Sequence, residues 1–450
     1  MPLSSLPRLS SDLLLSILDL LPFADLLSLS TVNKRIHALA TLRLYSAVET
    51  TWALDRTPPV TLLLRSILNR PQLSGYVRSL RLVGNAFKDH PEIREPPASP
   101  LALFSISKGS RIIQSTGVPF AKHWIDELRS GTVDAVVAVL LLMLPNLTSL
   151  YLGPNFTVRN QILGKLLQYA LWEPPEEYQL PILGNLQHVT FCRRTEEYRH
   201  LNARNTSDVL PFFYLSKIQS LSISIDNPVK FAWPAHTPAP LSLVSLEIYR
   251  LREARLKPLL SVLKGLQKLH WHCFYQPGLD RDVSKGIIEL DTVAIALNQV
   301  CATLTDLTIE AECRPEISAG YYDPPPLEIR ASLHGLAHLG KLRRLCAPWV
   351  FLMGFSESSA IKLQDLLSPS LELLTLTADL EDNEEWEWHD DSVVSAIKSE
   401  LENHSLSSLT NLYCIVLPIP LGYGKMTAER KQELRDIGAN AGLHLGWVDK

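Results

Sequence analysis

The chain is 450 residues long, 46% apolar and 20% charged, with a formal net charge of -4. That balance supports a sizeable core and excludes a chain whose main task is gripping nucleic-acid backbone, which calls for a basic surface. The six cysteines (Cys192, Cys273, Cys301, Cys313, Cys346, Cys414) are scattered and contain no C-x-x-C pair, which argues against a disulfide framework or a tetrahedral zinc site.

Residues 9–50 read as a small helical module. Leu13, Leu14, Ile17, Leu18 and Leu21 fall on one helical stripe, with Ser10 or Ser11 as N-cap and Asp12 suiting the helix dipole. Pro22 stops this helix; a second is predicted over about Asp25 to Ser30, and a third from Asn33 to Leu44. A unit of about forty residues cannot bury all these leucines by itself, so a partner or the rest of the chain must cover the excess. Asp12 and Asp19 interrupt the apolar run that would otherwise suggest a secretory leader, and Ala135 to Leu144 is shorter than the ~20 residues a bilayer needs. The expectation is a soluble intracellular protein of the cytoplasm or nucleus, with no membrane partner.

The run Leu9 to Leu18, then Leu21-Pro22, Asp25-Leu26 and Leu29-Ser30-Thr31-Val32-Asn33-Lys34-Arg35 resembles an F-box, and Leu44-Tyr45 is similar to the hydrophobic-aromatic ending of many of them. The resemblance covers about a tenth of the chain, and Ser10 stands where the family has proline, Asp12 where it usually has glutamate. It implies docking to a Skp-type adaptor and, through it, a cullin. Carried over residue by residue, the contact surface would be Leu13, Leu14, Ile17, Leu18, Pro22, Leu26, Leu29, Val32 and Leu44. The competing reading is that these leucines only cap the structure that follows.

Residues 51–450 carry an internal repeat. The pattern L-x-x-L-x-L-x-x-N is complete at Leu147, Leu150, Leu152 and Asn155, and nearly so at Val77, Leu80, Leu82 and Asn85. Looser copies centre on Val189, Leu221, Leu246, Leu269, Leu307, Leu345, Leu374 and Leu412. This is the leucine-rich-repeat pattern, here irregular in period. It predicts an α/β fold: a leucine-rich-repeat solenoid, or horseshoe, with a parallel sheet on its concave side, preceded by the three-helix F-box-like module. Lys257 to Leu263 and Asp291 to Val300 have helical spacing; a proline-rich insertion loop is expected at about 88–120, and a capping repeat at about 427–448.

No hydrolase, zincin or nucleotide-loop motif is present, so no catalytic residue, metal or cofactor is expected. On the strands, Tyr151, Tyr249, His270, His272, Glu310 and Tyr413 are the candidate contacts for a protein substrate, with Thr190, Ser222, Glu247, Thr308 and Thr375 beside them. The acidic run from Asp379 to Asp391 reads as a solvated loop; Trp386 and Trp388 within it add the alternative of a contact with a basic partner. The function expected is a substrate-recognition adaptor of a Skp–cullin–F-box ubiquitin ligase, not an enzyme. The alternative is a non-catalytic leucine-rich-repeat scaffold or signalling protein with no ligase link.

Overall fold

In the computed structural model, helix α3 (Lys34–Ser46) runs directly into a strand, β1 (Ala47–Thr51). The structure describes residues 9–447 except 54–55, 85–96, 158–159, 173–176, 182, 193–205, 227, 278–284, 315–324, 358–360, 404–405, 407–408 and 422–425. The chain divides into two compact units, Met1–Arg199 with Asp208–Ile218, and His200–Ser207 with Gln219–Lys450.

The first unit begins with α1 (Ser11–Leu18), α2 (Phe23–Leu29) and α3. Its strands are β1, β2 (Ser79–Val83), β3 (Ser149–Leu152) and β4 (His188–Phe191), paired in parallel in chain order. Their register brings Val48, Leu80, Leu150 and Val189 into one row, and Thr50, Leu82, Leu152 and Phe191 into the next. From β2 to β4 these rows are buried, each full side chain contributing about 1.5–3 kcal/mol over exposure. The alternation in Ala47–Thr51 is too weak to mark a strand in isolation, which is why residues 47–50 read as part of the helical module; α3 ends at Ser46 and β1 follows.

Helix α4 (Pro59–Asn69) joins β1 to β2, and three helices, α5 (Leu103–Ser115), α6 (Ala121–Ser130) and α7 (Val133–Met143), join β2 to β3. The stretch expected as a loop at 88–120 therefore holds α5 in its described part, residues 97–120. Its inner face is Ser105, Gly109 and Ile113, at four-residue spacing; two of the three are small, so the helix leaves little hydrophobic signal. Helix α7 is buried almost all round, and its Asp134 carboxylate accepts from the backbone N–H groups of Ile162 (2.7 Å) and Leu163 (3.0 Å). A buried acid here is thus the cap of the helix Gln161–Leu171, whose first N–H groups have no partner of their own.

Asn155, the ninth residue of the complete pattern, is buried just after β3 and donates from Nδ2 to the Trp52 carbonyl, 3.1 Å away and just after β1. It reaches across β2 because Gly84 has no side chain: a Cβ there would lie 2.4 Å from Asn155 Cγ. Asn155→Ala strands the carbonyl, so a loss of ~1–3 kcal/mol is expected in chemical denaturation. Gly84→Ala should cost at least as much, and an unchanged midpoint for both would show that this bridge is not part of the fold's stability.

The second unit has the parallel order β5 (Ser220–Ser224), β6 (Ser245–Tyr249), β7 (Lys268–Tyr275), β9 (Asp306–Cys313), β11 (Arg344–Pro348), β12 (Leu373–Thr377), β13 (Cys414–Leu417), β14 (His444–Trp447). Two short strands, β8 (Ile287–Glu289) and β10 (Glu328–Arg330), pair separately. One buried row runs Leu221, Leu246, Leu269, Leu307, Leu345, Leu374, Ile415, Leu445. Ile415 stands where the pattern put Leu412, three residues earlier: Leu409-x-x-Leu412 and Leu412-x-x-Ile415 fit the motif equally, and pairing with β12 decides. The helix Ala428–Ala441 and β14 occupy the predicted terminal segment. Trp388 is buried edge-on against Trp349, 5.0 Å between centroids, and Trp386 donates to the Trp388 carbonyl. Trp388 thus anchors the acidic loop, while Trp386 is half-buried. No helix among the described residues is long and apolar enough to cross a membrane.

Candidate docking surfaces

The N-terminal helices are fixed by local caps. Ser10 Oγ accepts from Leu13 N–H at 3.3 Å to start α1, and Asn33 Oδ1 accepts from Ile36 N–H at 2.9 Å to start α3. Helix α1 ends at Leu18, ahead of Pro22, which sits at the head of α2. Arg43 on α3 reaches Asp19 at 2.6 Å, and Arg35 donates to the Leu9 carbonyl at 2.7 Å, tying both ends of α1 to α3. Leu14, Leu18, Leu26, Ile36 and Ala40 fill the space between the helices.

That packing divides the expected contact residues. Leu13, Ile17, Pro22 and Val32 are exposed, and Leu29 and Leu44 are half-buried. Leu14, Leu18 and Leu26, expected in the contact surface, are instead buried in the module's own core. Leu20, Phe23 and Leu27, which the motif did not single out, join the exposed set, whose exposure runs from 38% at Ile17 to 85% at Leu20. Leu13, Ile17 and Leu20 have i, i+4, i+7 spacing on α1 and the turn after it, a stripe beside the inward Leu14 and Leu18. Apolar side chains so grouped on a small helical unit mark a protein interface.

On the strands, Tyr151 lies on the outward face of β3 with the Arg81 guanidinium 3.8 Å from its ring centroid; burial, with Cys192 nearby, pushes its phenol pKa up. In the second unit four expected contacts meet: Tyr249 on β6, His270 and His272 on β7, and Glu310 on β9. Glu247, also on β6, completes the cluster. His270 Nδ1 lies 3.1 Å from Glu247, and its Nε2 lies 3.1 Å from Glu310 in an ion pair that lacks hydrogen-bond alignment. Tyr249 donates to Glu247 at 2.5 Å, and His272 lies 3.4 Å from Glu312. Tyr413 precedes β13 beside Glu372, and β11 and β12 separate that strand from β9, so Tyr413 is outside this cluster.

The hydrogen bond with Glu247, helped by Glu310, raises the His270 pKa from 6.5 to about 9, and the same bond lowers Glu247 from 4.5 to about 2. A raised His contributes fully below its unfolded value and loses that contribution as pH rises through 9. A lowered Glu contributes above 4.5 and loses it as pH falls through 2. The cluster should therefore stabilise most between about 4.5 and 6.5. Solvent screening of these half-buried groups leaves an effect on the order of 1 kcal/mol. The stability gap between wild type and His270→Gln should shrink from pH 6.5 to pH 9; a constant gap would remove the charge from the account.

Among the described residues, no group of three or more His, Cys, Asp or Glu side chains is placed to hold a metal. No curated protein matches the chain. A family model for the F-box domain matches residues 6–44, the stretch that covers α1, α2 and most of α3. An F-box domain is therefore found at the N-terminus, with its apolar stripe uncovered.

Proposed function

We propose that this protein is the substrate-recognition adaptor of a Skp–cullin–F-box ubiquitin ligase. The observation that carries the reading is the exposed stripe of Leu13, Ile17, Leu20, Phe23, Leu27 and Val32 on a matched F-box domain. F-box domains bind Skp-type adaptors, and such a stripe is what an interface core requires. In this reading the strand-and-connection units after Ser46 are leucine-rich repeats of a horseshoe, and a target protein binds their outward strand face, with Tyr249, His270 and Glu310 among its contacts. The chain performs no chemistry of its own. It works inside the cell, in cytoplasm or nucleus, by raising the effective concentration of target lysines near the charged enzyme.

Co-expression with a Skp-type adaptor tests this directly. A stable complex that also recruits a cullin is expected. Failure of the intact, folded chain to retain the adaptor would leave only a scaffold reading.

A further inference from the structure

From Arg56 to Lys88, and again from Pro96 to Ile125, the chain contains no aspartate or glutamate. Helices α4 and α5 come from these two stretches. On α4, Leu62, Arg65 and Asn69 have i, i+3, i+7 spacing and are exposed; on α5, Phe104, Lys108 and Arg111 have i, i+4, i+7 spacing, with Leu103 beside them 85% exposed. The helices lie side by side: Lys108 Nζ donates to the Leu68 carbonyl at 2.9 Å and stands 4.3 Å from the Phe104 ring centroid. Arg70 follows at the end of α4.

Other surface arginines of this unit have partners: Arg43 with Asp19, Arg81 with Glu49, Arg129 with Asp126. Arg65, Arg70 and Arg111 pair with no carboxylate among the described residues. Two neighbouring helices thus present exposed apolar side chains among cations that no carboxylate of the described residues neutralises. Apolar anchors rimmed by one sign of charge describe one half of a complementary interface. Three of the four cations are arginines, whose planar fork matches a carboxylate bidentately. The exposed apolar part is three side chains, Leu62, Leu103 and Phe104, shorter than the long stripe that lies in a bilayer surface.

We propose that the α4–α5 face docks an acidic amphipathic segment of a partner protein, its apolar side chains on Leu62, Leu103 and Phe104 and its carboxylates on Arg65, Arg70 and Arg111. This surface is separate from the F-box stripe, and the inference does not need the ligase reading.

The test uses the full chain and three probes: a fluorescent amphipathic helix of glutamate and leucine, its lysine and leucine counterpart, and phosphatidylserine vesicles. The glutamate peptide should bind and the lysine peptide should not. Arg65→Glu with Arg111→Glu should weaken the glutamate peptide by at least ~10-fold. Phe104→Ser should weaken it as well, while Arg129→Glu on α6 leaves it unchanged. Melting curves check that each variant is folded. Equal binding of both peptides, no binding, or loss in the Arg129 variant equal to that in the double variant overturns the proposal. Vesicle binding that depends on Arg65 and Arg111 and outcompetes the glutamate peptide overturns it in favour of a membrane.

Discussion

Replacing Leu13 and Phe23 together by aspartate should remove a Skp-type adaptor from the complex while leaving the melting temperature unchanged. Both side chains are more than half exposed, so the free protein loses little packing. In the complex each would sit in a desolvated interface, where truncating an anchor costs ~2 kcal/mol or more and a buried unpaired carboxylate costs further. Two such sites amount to at least ~100-fold in affinity, enough to abolish co-purification. Leu26→Asp is the instructive contrast. Leu26 packs inside the module, so its replacement should unfold the helices and lose the adaptor for a reason unrelated to contact. Retention of the adaptor by the Leu13/Phe23 variant would mean that the helices dock through another face.

The largest stability effect is expected at Trp271. It occupies an inward position of β7 between Ile248 and Ile309, is almost wholly buried, and donates from its indole N–H to the Leu251 carbonyl at 2.7 Å. Trp271→Ala removes the ring, opens a cavity and strands the carbonyl, at a cost of ~3–5 kcal/mol in equilibrium unfolding. Trp271→Leu should recover part of that loss, because it restores apolar volume but not the donor. Equal destabilisation by alanine and leucine would place the whole effect in the hydrogen bond. No measurable loss in either would contradict the buried row on which the sheet rests.

What could be read from the sequence follows the strength of each local signal. Leu150 and Leu246 sit two residues from a second inward residue, and that alternation located their strands before any pairing was known. Ile415 needed its neighbour in β12 to fix the register. β1 has one aliphatic inward residue, Val48, and owes its form to pairing with β2. The inner face of α5 rests on Ser105 and Gly109, which no hydropathy pattern counts. At the docking surfaces, the leucine count of the first helix was legible, but its division into core and exposed stripes depends on how α3 lies against it. His270 stood out by type, whereas its bond to Glu247 joins residues 23 apart that meet only when β6 and β7 pair.

The junction at Ser46 and Ala47 has a mechanical consequence. Helix α3 passes into β1 without a spacer, the Ser46 carbonyl accepts from Arg78 N–H at 2.9 Å, and β1 is at once paired along its length with β2. The F-box helices are in effect a rigid handle forged onto the first strands, with no swivel between them. Whatever grips that handle also fixes the heading of the strands behind it, so cargo on this unit would be aimed by the backbone and would not search on a tether.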